Sequence, residues 1–227
     1  MKHYLIPIAT AIILGAAFVI GILTFKSYDR CVSVHGSCER EVKADRAIFP
    51  IQFTETGDNL AALHTKVEEN CNIIEEWLHG YGITDEEYTI AAPNITDNYA
   101  LSYTTNAKSR YCVTTTISLY TTKVDSVIEL KKHLTDLIGK SIAVKTGDWE
   151  NPIEFLFEHL NDIKPDMIKE ATQNARAAAE QFAADSHSRL GKIANASQGY
   201  FTIENRDQLT PQIKKVRVVT SITYNLR

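Results

Sequence analysis

Residues 165–226 read PDMIKEATQNARAAAEQFAADSHSRLGKIANASQGYFTIENRDQLTPQIKKVRVVTSITYNL, and the hydrophobic period changes inside them. Pro165 suits the first turn of a helix. The apolar stripe that follows is Ile168, Ala171, Ala175, Ala178 and Phe182. Three of those five are alanine, so this helix can lie close against a sheet. Beyond it the period falls to two. Strands are expected over Lys192–Glu204 and Lys214–Leu226, with Asp207 to Pro211 as a polar loop between them. The last strand places Val216, Val218, Thr220, Ile222, Tyr224 and Leu226 on one face.

The same pattern of helices and paired strands runs upstream. Arg46 to Thr54 reads as a strand with Ala47, Phe49, Ile51 and Phe53 on one face, and Pro50 suggests an edge or a bulge. A helix from about Asn59 to His79 carries Leu60, Leu63, Val67, Cys71, Ile74 and Leu78, with Gly80 as its cap. Strands follow near Glu87–Ala92 and Arg110–Thr122, then a helix from Val124 to Ile138, then short strands near Ser141–Thr146 and Ile153–Glu158. The second of these four strands alternates Tyr111, Val113, Thr115, Ile117 and Leu119 with Thr114, Thr116 and Ser118. Strand-strand-helix units repeated in this way give an α+β fold, with a mixed, mostly antiparallel sheet and about three packed helices.

Residues 1–30 differ from all of this. Leu5 to Phe25, LIPIATAIILGAAFVIGILTF, is 21 residues without a charge. As a helix it is roughly 31 Å long, enough to cross a hydrocarbon core of about 30 Å. A cleavable signal has a shorter apolar core and a small-x-small site after it. Here Ile22-Leu23-Thr24-Phe25-Lys26 occupies that place. The reading is an uncleaved transmembrane anchor over residues 1–30, marked by Leu5, Ile13, Phe18 and Phe25, that exports residues 31–227; cleavage is the lesser alternative. Lipid would be contacted through this helix alone.

The 227 residues carry 28 acids against 24 bases, a net charge of −4 and a pI near 6.0. Residues 1–30 hold three of the bases and one of the acids, so residues 31–227 carry −6. An acidic chain lacks the electrostatic footprint of a nucleic-acid binder. Four cysteines are too few for a disulfide-built scaffold.

Catalytic and metal-binding spacings are absent. Cys31, Cys38, Cys71 and Cys112 form no C-x-x-C pair, and the seven histidines form no H-E-x-x-H or H-x-H. The motifs G-x-S-x-G, G-x-x-x-x-G-K-[ST] and G-x-G-x-x-G do not occur. Asp185-Ser186-His187-Ser188 holds triad residue types, but a triad is spatial, and the end of a helix explains the segment better. Cys71 reads as a core residue. Cys31 and Cys38 meet only if Val34-His35 turns tightly; in one continuous strand they are roughly 23 Å apart. No enzyme, cofactor or metal is expected.

A family resemblance enters at both ends of residues 31–226. Val32-Ser-Val-His-Gly36-Ser-Cys-Glu-Arg-Glu-Val-Lys-Ala-Asp45 resembles the opening strand of SIMPL-domain proteins, roughly V-x-G-x-G-x-x-x-x-x-P-D. Gly36 and Asp45 match, Cys38 stands where a second glycine is usual, and Ala44 replaces the proline. Asp162 through Ile193 resembles the family's A-x-x-x-A-R-x-x-A-E-x-x-A … L-G-K-I helix and exit, on Ala171, Ala175, Arg176, Leu190 and Gly191, with His187 where glycine is common. Val216–Thr220 also fits.

The resemblance implies a bacterial envelope protein, secreted or membrane-anchored, linked to oxidative or other stress, with relatives that form large ring-like homo-oligomers. It carries no catalytic residues. The expectation is therefore a non-enzymatic inner-membrane protein whose periplasmic part self-associates. The alternatives are a partner-binding envelope module and a thiol-based redox protein using Cys31, Cys38 or Cys112.

Overall fold

A computed structural model describes residues 13–22, 30–100, 108–147 and 149–227. Helix α1 covers residues 13–22, about 15 Å of rise. It exposes Ile13 and Phe18. Among the described residues no helix is long and apolar enough to cross a membrane. Leu5 and Phe25, the ends of the expected span, lie outside the described residues.

The remaining elements are β1 (Cys31–Lys43), β2 (Arg46–Gly57), α2 (Leu60–Gly80), β3 (Tyr88–Ile90), β4 (Asn94–Asp97) and β5 (Tyr111–Thr121). Then come α3 (Val124–Lys132), α4 (Thr135–Gly139), β6 (Val144–Lys145), β7 (Glu154–Leu156) and α5 (Leu160–Asp185). β8 (Leu190–Gln198), β9 (Thr202–Asn205) and β10 (Ile213–Leu226) close the chain. The fold is mixed α+β with antiparallel sheets and several helices. It divides into two compact units: Glu41–His159 with Asn205–Lys214, and the chain up to Arg40 with Leu160–Glu204 and Lys215–Arg227.

The first unit is built on β2 and β5, which pair antiparallel in unbroken register from Ala47–Thr121 to Gly57–Tyr111. β3 and β4 add to the far side of β5, and β6 and β7 to the far side of β2, all antiparallel. Ala47, Phe49, Ile51 and Phe53 are all buried, as their alternation predicts. The α2 stripe Leu63, Val67, Cys71, Ile74 and Leu78 packs into the same core. Each large side chain so buried contributes about 1.5–3 kcal/mol over exposure. Asn59 caps α2, its side-chain oxygen accepting from the Ala61 and Ala62 N–H groups.

Pro50 departs from expectation, because it stands opposite Ser118 in a central strand without a bulge. On its other side it falls between the stretches of β2 that β6 and β7 cover, so the ladder asks no N–H of it there. Thr146 Oγ1 donates to its carbonyl at 2.5 Å. The expected helix Val124–Ile138 is two helices: the His133 N–H donates to both the Glu129 and Leu130 carbonyls and ends α3.

In the second unit the sheet order is β1-β10-β8, with β9 also on β10. Ser33 meets Thr223 at 2.6 Å and His35 meets Ser221 at 2.7 Å. One number rises by two as the other falls by two, which is the antiparallel relation. The strand expected over Lys192–Glu204 is β8 and β9, interrupted at Gly199-Tyr200-Phe201.

α5 begins at Leu160, five residues before Pro165, which costs the helix one internal hydrogen bond. Its buried stripe is Met167, Ala171, Ala175, Ala179 and Ala183, a strict four-residue step. Phe182, expected inside, is 60% exposed. A side chain of that size would hold the helix off the sheet, and the seam described below leaves no room for it.

Candidate functional site

Gly36 on β1 faces α5 at a distance only glycine permits. A Cβ built on it would lie 2.0 Å from the Ala171 carbonyl oxygen and 2.3 Å from the Ala175 nitrogen. Backbone therefore meets backbone, and the alanine stripe of α5 keeps its own side of the contact thin. Ala175 and Ala179 cluster with Val34, Ile222 and Tyr224 on the sheet. Asn174 Nδ2 fastens the helix to β1 by donating to the Ser37 carbonyl at 2.9 Å.

The other motif residues do different work. Arg176 is exposed on α5 and pairs with Glu180 at 2.8 Å, one turn on. Gly191 lies where the β8–β10 register shifts, and a Cβ there would be 2.7 Å from the Asn225 carbonyl oxygen. Leu190 is half-buried at the start of β8 and packs against the alanine cluster. His187 takes a φ of +53°. The His187 and Ser188 N–H groups donate to the Ala184 and Ala183 carbonyls, so a Schellman motif ends α5 with histidine in the usual glycine place.

Asp45 belongs to the other unit. Its carboxylate accepts from the Glu158 N–H, the His159 N–H at 3.0 Å, and the His159 ring nitrogen Nδ1 at 2.6 Å. Burial pushes this carboxyl up, but these hydrogen bonds outweigh it and hold the group below the ordinary aspartate value. Next to it, Arg46 pairs with Glu158 at 2.8 Å and lies over the Tyr120 ring. Asp45 is a tie between β2 and the segment after β7.

Residues 32–224 match the SIMPL family, described as a protein of unknown function (DUF541). The chain belongs to the SIMPL family. No curated protein matches it.

The cysteines of this SIMPL chain are free thiols. Cys31 and Cys38 sit on one continuous strand, β1, which keeps them apart. Cys38 is buried, and burial, then the hydrogen bond to Glu170, raise its pKa. Burial first, and Glu75 and Glu68 after it, push Cys71 up to about 11. Both are the reverse of an activated thiol. Cys31 is exposed and Cys112 half-buried. His64, His79 and His133 each pair with a carboxylate three to six residues further on. Among the described residues no three His, Cys, Asp or Glu side chains gather to hold a metal.

β8 is the feature that sequence reading passed over. Among the described residues it is an outer strand of its sheet, and every residue from Lys192 to Gln198 is exposed. It carries one charge, Lys192, and no proline. Ile193 is 54% exposed, with Tyr200 and Ile203 also open beyond it. An outer strand presents unpaired N–H and C=O groups to any extended segment that can pair with them. The signal was in the sequence: a nine-residue strand, LGKIANASQ, without the apolar alternation that a covered strand needs.

Proposed function

We propose that this SIMPL chain is a non-catalytic inner-membrane protein of the bacterial envelope. Its periplasmic part associates with copies of itself and supports tolerance of envelope or oxidative stress. The observation that carries the reading is the open edge of β8, nine residues long, with one charge and Ile193 exposed. Charge, proline or a bulge blunts such an edge; in β8 the one charge and the register shifts fall before Asn195, and Asn195 to Gln198 runs in unbroken register with β10, an edge that an extended segment can join. The uncharged run from Leu5 to Phe25 supports anchoring. A membrane tether concentrates many copies at one surface, so weak lateral contacts become productive. The stress role rests on the resemblance to other SIMPL proteins.

The test is the mass of the full-length protein in mild detergent, by light scattering corrected for the micelle, beside a chain starting at Arg30 and an Ile193→Asp variant. A discrete large mass for both wild-type chains, lost in Ile193→Asp, is the expected result. A monomer throughout removes self-association. A large mass only with residues 1–29 present moves assembly to the anchor.

A further inference from the structure

A cleft of about 540 Å³ opens in the unit formed by Glu41–His159 and Asn205–Lys214, between one face of α2 and the strands at the far side of β5. The α2 residues lining it recur at positions 64, 67, 68, 71, 72 and 75, a single helical face. Ile90 and Pro93 form the opposite wall and Thr115 the floor. We propose that this cleft binds a linear aliphatic polyamine, with Glu68 and Glu75 receiving its ammonium groups and Thr115 a further N–H.

Thr115 supplies the first argument. It is 1% exposed, and among the described residues its hydroxyl oxygen has no hydrogen-bond partner. Buried polar groups are nearly always paired; Trp77 Nε1 and Thr220 Oγ1 are unpaired as well, and of the three only Thr115 lines the cleft, where a bound N–H could complete it. Thr115 interrupts the apolar face of β5 between buried Val113 and Ile117.

Charge supplies the second. Among the described residues the cleft is lined by two carboxylates, Glu68 and Glu75, and by no lysine or arginine. Its one histidine, His64, is already 3.3 Å from Glu68. Both carboxylates are felt at the cleft wall, where they help push the Cys71 thiol up. Such a field repels anions and attracts cations.

Spacing and walls select among cations. Glu68 and Glu75 stand seven residues apart on α2, about 10.5 Å along its axis. No third metal ligand joins them among the described residues, which disfavours a bare metal ion. Val67, Ile90 and Pro93 give the space between an apolar lining. Two positive charges roughly 10 Å apart, joined by methylenes and carrying N–H donors, describe a polyamine.

The test is a calorimetric titration of the full-length protein in nonionic detergent with spermidine, with the Ile90 methyl resonance followed in parallel. Saturable one-to-one binding that shifts the Ile90 signal is expected. Glu75→Gln and Glu68→Gln each weaken it about tenfold, since a charge-assisted contact is lost. Thr115→Val weakens it several-fold, while Glu180→Gln, an equal charge change in the other unit, leaves it unaltered. Each variant is compared at an unchanged circular dichroism spectrum. The absence of saturation by about 5 mM overturns the proposal. So does an equal effect of Glu180→Gln, which would mean diffuse charge attraction, or equally tight binding of 1,8-octanediol, which would mean an apolar cleft indifferent to charge.

Discussion

The Gly36 Cα and the Ala175 backbone are so close that a methyl group on the glycine would sit 2.3 Å from the Ala175 nitrogen. The obstacle is main chain on both counts, since the other near atom is the Ala171 carbonyl oxygen. Gly36→Ala must therefore shift α5 off β1, at a cost of about 1–3 kcal/mol or more. Trimming the helix does not relieve it, because Ala175→Gly leaves the offending nitrogen in place. Urea midpoints of Gly36→Ala alone and combined with Ala175→Gly are expected to fall together. Full rescue by the second change would show that the clash is with the alanine side chain.

That seam shows how far the sequence could be read. Ala171 and Ala175 announce a helix that lies close to something, and Val216, Val218, Thr220, Ile222 and Tyr224 announce the strand face that receives it. The exact stripe was not legible. Ala178 and Phe182 satisfy helical spacing as well as Ala179 and Ala183 do, and only the room beside Gly36 decides between them. Pro50 misled for a related reason, because a gap between β6 and β7 is set by segments about a hundred residues away. The cleft was still less visible, being assembled from α2, β5 and the β3–β4 connection. Its one local trace is a threonine between Val113 and Ile117 on the buried face of β5.

Asp45 makes part of the stability pH-dependent. Burial raises its carboxyl, and hydrogen bonds from the Glu158 N–H and from His159 more than reverse this, leaving it below its unfolded value. A group depressed in the folded state stabilises fully above its unfolded pKa of about 3.9, and the contribution fades as pH falls through the folded value. Asp45→Asn is expected to lower stability by about 1–3 kcal/mol at pH 7. The gap between variant and wild type narrows below about pH 4. A gap that stays constant on acidification would mean that shape, not charge, makes Asp45 matter.

The thiols can be ranked by alkylation. With the Cys71 pKa near 11, about one thiol in a thousand is ionised at pH 8. Cys38 is buried and raised as well. Iodoacetamide at pH 8, read by peptide mass spectrometry on the folded protein, is expected to modify exposed Cys31 first and to spare Cys38 and Cys71 until denaturant is added. Rapid native labelling of Cys38 would reopen a thiol-based role.

Thr115 tests whether an unfinished hydrogen bond is kept at the expense of stability. Valine has nearly its shape, and β5 favours a β-branched residue, so Thr115→Val removes the unpaired oxygen with little repacking. The folded state then no longer buries a hydroxyl without a partner, and the variant is expected to be more stable by up to about 1 kcal/mol in urea unfolding. A stabilising change at a buried position is uncommon, and here it would show that the hydroxyl is left unpaired in the folded protein, as a ligand contact in the cleft requires. If Thr115→Val instead destabilises by 1 kcal/mol or so, the hydroxyl has a partner in solution, and the cleft loses the observation that distinguishes it from an ordinary groove.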